Sequence, residues 1–280
     1  MLPYKSTTVN NFDEYLITFL NKADDRIAQL LKKSTDMRNG GGKVQKSTEA
    51  IRNGQVWQDA PYMARIVFGT GEHNFEGGGA IFSHRHILAA GFVVSPVSPV
   101  FNVWVGGSTR TTQRAVAVQS RVQHPNYSLF PLTNDIGIVT LAADLVFDRF
   151  VRPIALPPLG TSMIPYDNEQ GTVLGFGGAP GVANTREHLQ AAFMRATTPA
   201  RCNSFFQHSV AQQFCAEDAR LRSEVCFNDI GGPFVVLRRG EEVLVGVISD
   251  PFCIAVPTSE PALFTRVSAY RTWINQMTSV

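Results

Sequence analysis

The sequence predicts a chain in two parts, an N-terminal amphipathic helical extension and Gly-rich linker over residues 1–50 and a body over residues 51–280 that opens with a β-strand. Three observations lead there. Between Phe12 and Met37 the apolar residues Phe12, Leu16, Phe19, Leu20, Ala23, Ile27, Leu30 and Leu31 recur in steps of three and four, which places them on one helical face. Every lysine lies between Lys5 and Lys46, and from Ile51 onward the basic residues are all arginine; with the loose run Arg38-Asn39-Gly40-Gly41-Gly42-Lys43 this marks a boundary near residue 50. Beyond it, Pro61-Tyr62-Met63-Ala64-Arg65-Ile66-Val67 alternates and is rich in β formers, so it reads as a strand.

The extension opens with Asn11 followed by Glu14, an N-cap signal, and ends at its triple glycine, a flexible tether. Its apolar stripe suits packing on the body, or a partner-binding or self-associating helix. A membrane-surface role fits less well, because Asp24, Asp25, Lys32 and Lys33 mix both signs on the polar face. The whole chain has 280 residues, room for one large domain or two small ones. Its formal net charge of +2 argues against a dedicated nucleic-acid binder. No apolar run approaches the ~18 residues of a membrane span. Met1-Leu2-Pro3-Tyr4-Lys5-Ser6 lacks the apolar core of a signal peptide, so the protein is either cytosolic or a mature form. His73, His84, His86, His124, His188 and His208 show no zinc-ligand spacing and read as surface or packing residues, so no metal or cofactor is expected.

Five stretches of the body carry the functional reading. In order they are Ile51-Arg52-Asn53-Gly54; the run from Gly77-Gly78-Gly79-Ala80-Ile81 to Leu88-Ala89-Ala90-Gly91-Phe92-Val93-Val94; Val122-Gln123-His124-Pro125-Asn126-Tyr127; Thr133-Asn134-Asp135-Ile136-Gly137-Ile138; and Glu224-Val225-Cys226-Phe227-Asn228-Asp229-Ile230-Gly231-Gly232-Pro233. Together they resemble the trypsin/chymotrypsin-like serine proteases, whose nucleophile loop reads Cys-x-Gly-Asp-Ser-Gly-Gly-Pro and whose base loop reads Leu-Thr-Ala-Ala-His-Cys-Val. The resemblance covers about residues 51–280. It implies a chymotrypsin-like double six-stranded β-barrel, with barrels at about 51–160 and 161–280 and a C-terminal helix. Tyr270, Trp273, Ile274 and Met277 are expected to form the buried stripe of that helix.

The resemblance also implies that the chemistry has been replaced. Ile230 stands in the serine's place, and a hydrocarbon has neither a proton to lose nor a lone pair for a carbonyl. Phe92 stands in the place of the general-base histidine, while Asp135 retains the third triad position, where its carboxylate is expected to accept local backbone hydrogen bonds. Val93 and Gly77 replace both halves of a family disulfide. Asn228 replaces a glycine that supplies an oxyanion N–H. Glu224 falls at the base of the primary specificity pocket, Ser249-Asp250-Pro251 replaces the Ser-Trp-Gly edge, and Ala262 replaces a pocket glycine. Pro251 has no N–H to offer a substrate backbone. Ala50 precedes Ile51, so a trypsin-like activator should not cut there; Asp229, the family's partner for the freed ammonium, must then find other partners.

The same resemblance pairs Cys202 with Cys215 and Cys226 with Cys253, which uses every cysteine and implies folding in an oxidising compartment. Asn126-Tyr127-Ser128 is an N-glycosylation sequon if the protein is secreted. The reading is a secreted, non-catalytic serine protease homologue of the arthropod type. Such homologues bind a protein partner (a protease, zymogen or host factor) as cofactors, decoys or regulators in immune or clotting cascades, or as salivary binders. A small-ligand carrier using the altered cleft, or an enzyme with a rebuilt site, are the alternatives from other classes.

Overall fold

The computed structural model describes residues 51, 53–70, 74–163, 165, 167–177, 187–206, 211–218, 220, 223–251 and 260–280. The helical extension and linker, 1–50, lie outside the described residues, as does Cys253.

Two antiparallel sheets carry the fold. The first contains β2 (Met63–Gly69), β3 (Asn74–Ile81), β4 (His86–Ala89), β5 (Val100–Val105), β6 (Arg114–Val116), β7 (Val118–Gln123) and β10 (Gly137–Leu141), in the order β6-β5-β2-β3-β4-β10-β7. The second contains β1 (Gln55–Val56), β11 (Gln170–Gly175), β12 (Gln190–Ala196), β13 (Gln213–Glu217), β14 (Pro233–Arg238), β15 (Glu241–Asp250) and β16 (Ala262–Arg266). Its order is β1-β12-β11-β14-β15-β16-β13, with β12 also pairing β13. A short ribbon of β8 (Ser128–Leu129) and β9 (Leu132–Thr133) stands apart from both sheets.

Each sheet counts seven strands where six are expected, and both differences have a local cause. In the first sheet β6 and β7 are one run broken at Ala117, so its two halves form opposite ends of the sheet order and close it. In the second, the β12–β13 pairing closes a six-stranded ring, and β1 adds to its outside through Gln55 opposite Ala191 and Val56 opposite Gln190. Closure removes sheet edges, which otherwise invite pairing with other chains.

Strand β2 shows how sequence becomes packing. Its run Met-Ala-Arg-Ile-Val-Phe-Gly is buried almost throughout, including Arg65. A buried guanidinium must be satisfied. Arg65 does so by donating Nε to Gln113 Oε1 at 2.8 Å and a terminal nitrogen to Glu76 Oε1 at 3.0 Å, while its face lies 4.3 Å from the centre of the Trp104 ring.

Two short helices lie outside the sheets. Helix α1 (Pro199–Phe205) begins at Thr198, whose hydroxyl accepts from the Arg201 N–H at 3.2 Å, with Pro199 at the first turn. Cys202 on α1 is joined to Cys215 on β13. Cys226 is also disulfide-bonded. Helix α2 (Arg271–Thr278) docks back on the first barrel: Tyr270 donates to Asn134 Oδ1 at 3.0 Å, and Trp273 stands edge-on to His124 at 4.9 Å. Tyr270 and Ile274 are buried, but Met277 is 46% exposed, which corrects the expected four-residue stripe. Eight residues give little more than two turns, and burial is lost along them, from Arg271 and Ile274 buried to Gln276 and Met277 exposed.

The largest hydrophobic cluster does not stop at the first barrel. It takes in Phe68, Ile81, Leu88, Phe92 and Ile136 from that side, and Phe227, Ile230, Val235 and Val247 from the second. The seam between the barrels is therefore part of the core.

Candidate active-site region

Three segments meet at that seam. Gly91 to Val94 form the turn after β4, Asn134 to Ile136 link β9 to β10, and Phe227 to Ile230 form a 3₁₀ turn leading into β14. Phe92 and Ile230 are both enclosed, the isoleucine completely. The backbone N–H of Ile230 donates to the Phe227 carbonyl at 3.2 Å, and the Ile230 carbonyl accepts from the Gly78 N–H at 2.8 Å. Both backbone polar groups of Ile230 are thus committed inside the fold.

Four phenylalanines close a ring of contacts across the seam. Phe92 meets Phe68 edge-to-face at 5.8 Å and Phe227 at 6.0 Å; Phe227 meets Phe75 at 5.8 Å, and Phe75 meets Phe68 at 6.1 Å. The first three pairs are edge-to-face and the Phe75–Phe68 pair is tilted; aromatic pairs contribute about 0.5–1.5 kcal/mol each beyond area burial. Three of the rings come from the first barrel and Phe227 from the second. Beside them, a Cβ at Gly77 would come within 2.9 Å of Val93 Cγ2 and 2.8 Å of the Ile230 carbonyl oxygen. The Val93 side chain therefore uses the space that a larger residue at 77 would need.

Two buried carboxylates flank the aromatic ring. Asp135 accepts from the Phe92 N–H at 2.8 Å and from the Ser249 hydroxyl at 2.7 Å, while its carbonyl accepts from Thr265 Oγ1 at 2.8 Å. Burial pushes its carboxyl up to about 7, the nearby Asp250 adds to this, and the hydrogen bonds oppose it. Asp229 accepts from the N–H groups of Ile51 at 3.1 Å, Cys226 at 2.9 Å and Gly177 at 3.0 Å. Burial raises it to about 6, against those three bonds. The described hydrogen-bond donors to both carboxylates are all neutral. Gly175 is needed here: a Cβ at this position would lie 1.9 Å from Asp229 Oδ1.

On one side of the seam an ion-pair cluster ties the barrels. Arg110 pairs through both terminal nitrogens with Glu76 and donates to the Phe176 carbonyl at 3.2 Å; Arg65 pairs with the same Glu76. Glu76 belongs to β3 and Phe176 follows β11, so one guanidinium holds both halves. Among the described residues no group of three or more His, Cys, Asp or Glu side chains is placed to hold a metal ion.

A double barrel with a seam of this geometry narrows the family, and sequence comparison decides it: the trypsin family model matches residues 50–274. The chain belongs to the trypsin family. It is 29% identical to a chymotrypsin of Phaedon cochleariae over 83% of this chain and 83% of that protein. It is 30% identical to a trypsin of the same species over 78% of this chain and 84% of that protein. A CLIP domain-containing serine protease B15 of Anopheles gambiae is 26% identical over 76% of this chain and 65% of its own length. Among solved structures, an HL collagenase superposes with a TM-score of 0.71 at 22% identity, over 81% of this chain and 98% of that one. GrC does so with a TM-score of 0.70 at 24% identity, over 81% and 99%. At these identities the structures speak to the fold alone.

With trypsin-family membership in hand, the residues singled out from sequence can be placed. Phe92, Asp135, Ser249 and Ile230 do come together at the seam. Ser249 is buried and bonded to Asp135, and Asp250 ends β15, opposite Leu263, with Pro251 following it. Glu224 is buried, as is Ala262, which opens β16 opposite Ala216. Asn228 lies in the 3₁₀ turn, and its buried Oδ1 has no hydrogen-bond partner among the described residues. Asp229 finds its partners in three backbone N–H groups, one of them from Ile51.

Sequence reasoning missed the other three phenylalanines and the Glu76 cluster. The signal for Phe227 was one residue from Asn228, inside the most closely read motif. The signal for Glu76 was weaker, a lone acid before the Gly77-Gly78-Gly79 run with nothing to indicate two arginines folding onto it.

Proposed function

We propose that this chain is a non-catalytic member of the trypsin family, secreted, which acts by binding a protein partner as a cofactor, decoy or regulator of an extracellular proteolytic cascade. The observation that carries the reading is the hydrocarbon filling of the seam. Acyl transfer needs a nucleophile, a base in hydrogen-bond reach of it, and N–H donors aimed at the developing oxyanion. Ile230 and Phe92 can serve as neither nucleophile nor base, and the Ile230 N–H is occupied by the Phe227 carbonyl. The four-ring cluster packs hydrocarbon across the seam, and the Arg110–Glu76 pair ties its two sides. Secretion is supported by the Cys202–Cys215 disulfide, a bond that persists in oxidising compartments. A binding role is supported by the rigidity of two closed barrels, which leaves surface loops free to diverge. Similarity to a CLIP domain-containing serine protease supports a setting among proteases.

Two experiments test this. The double variant Phe92→His with Ile230→Ser should hydrolyse no peptide, because Asn228, Pro251 and the Phe68–Phe75–Phe227 cluster remain; clear peptidase activity would show that loss of two side chains is the whole change. The full chain and a form lacking residues 1–50, immobilised side by side, should retain a protease, zymogen or surface protein saturably from the source organism's extracellular fluid. Absence of any saturable partner would sink the regulatory role.

A further inference from the structure

We propose that Asn126 carries an N-linked oligosaccharide, fixed at the rim of the seam beside Asp135. The inference rests on the secreted reading above. Asn126-Tyr127-Ser128 is the single Asn-x-Ser/Thr triplet in the 280 residues. The structure shows that the fold presents it. Residues His124 to Tyr127 form a turn closed by the Tyr127 N–H donating to the His124 carbonyl at 2.9 Å. Asn126 is exposed in this turn. Its own backbone is pinned on both sides: the N–H donates to His124 Nδ1 at 3.2 Å, and the carbonyl accepts from Asn134 Nδ2 at 2.8 Å. Its side-chain amide makes none of the hydrogen bonds described.

Neighbouring residues leave that amide free. Tyr127 turns the other way, its ring edge 2.9 Å from where a Cβ of Gly91 would stand, so the bulky residue of the triplet faces the core. Ser128 opens the two-stranded ribbon β8–β9, which belongs to neither barrel. Both reactive positions of the sequon are therefore on a part of the surface that a glycan can occupy without displacing packed side chains.

The chemistry balances with a lipid-diphosphate-linked oligosaccharide as donor. The Asn126 Nδ2–C1 bond forms, the C1–O bond to the diphosphate breaks, the amide loses one proton and the lipid diphosphate leaves. Ser128 supplies the hydroxyl by which the triplet is recognised. The position has a consequence. Asn134 bonds the Asn126 carbonyl and also accepts from Tyr270, and it directly precedes Asp135. The sugar is anchored next to the seam on the ribbon side, so a protein partner docking over that ribbon would meet the sugar, while Asp135 and Ser249 are themselves buried.

The test uses the full chain behind a secretory leader. Translation with microsomes should give a heavier species that Asn126→Gln and Ser128→Ala abolish and Ser128→Thr retains. From the folded protein secreted by insect cells, a peptide N-glycosidase should release the glycan without denaturant and leave aspartate at 126, read by mass spectrometry of that peptide. An unmodified Asn126 in both systems would overturn the proposal, and release only after unfolding would overturn the exposed placement. Failure of the secreted reading is distinguishable: protein from the native source with Cys202 and Cys215 reduced would contradict secretion while leaving the microsome result standing.

Discussion

The two buried carboxylates should give this protein a stability that falls as pH rises through neutrality. For most carboxylates paired in a folded state the native form binds protons more weakly than the unfolded one. Here the order is reversed, since burial outweighs the neutral donors and moves Asp135 from 3.8 to about 7 and Asp229 from 3.8 to about 6. Between about pH 4 and the raised native values, the native state holds protons that the unfolded chain has released, so unfolding becomes easier as pH increases across that window. At about 1.4 kcal/mol per tenfold change in proton affinity, the shift is worth about 4 kcal/mol for Asp135 and about 3 kcal/mol for Asp229. Those amounts are a sizeable part of the ~5–15 kcal/mol that holds a typical domain together. Urea titrations from about pH 5 to about pH 8 measure it directly. The variant Asp135→Asn isolates one site: its oxygen can still accept from the Phe92 N–H, and the Ser249 hydroxyl can rotate to accept from the new amide. It should be more stable than the parent at about pH 8 and show a flatter pH profile. Asp229→Asn is a poorer probe, because an amide NH₂ would face one of three N–H donors. Stability that climbs between about pH 5 and pH 8, or an Asp135→Asn variant weaker than the parent at the upper end, would refute the reasoning.

Three further outcomes follow from the same contacts. Gly175→Ala places a methyl 1.9 Å from Asp229 Oδ1, so it should cost more than ~3 kcal/mol in urea denaturation or abolish soluble expression, beyond the ordinary cost of overpacking. Phe227→Ala removes the second barrel's ring from the four-phenylalanine cluster and should destabilise by about 3–5 kcal/mol, with near-UV circular dichroism reporting loosened aromatic packing. Replacing Cys202 and Cys215 with alanine opens a link between residues 13 apart in sequence and should lower stability by roughly 3 kcal/mol, measured under non-reducing conditions.

The double barrel was legible because several short motifs occur in one order, each with its own physical signature, and the family comparison confirms that much. The β-former-rich run at 61–67 marks β2, shifted by two residues, although the strand is buried on both faces and not on alternate residues. What the chain did not disclose was how its parts close on one another. Phe68, Phe75, Phe92 and Phe227 come from four segments, and nothing in the period of any one of them indicates that their rings meet. Periodicity reports the face an element presents, not what covers it, which is why Met277 fits the helical stripe of α2 and still lies exposed. The extra strand β1 has only two residues, too few to show an alternation. Asp229 was recognisable as a carboxylate in need of partners, but backbone N–H groups leave no trace in side-chain identity, so its three donors became visible only in the fold.

The central claim is that this trypsin-family scaffold does not hydrolyse peptides. The most direct test is turnover of a broad peptide library by the purified chain, with products read by mass spectrometry beside heat-denatured protein and Asp135→Asn. The account predicts no cleavage above the denatured control. Cleavage that co-purifies with the folded chain and disappears in Asp135→Asn would contradict it and place a working catalyst at the seam.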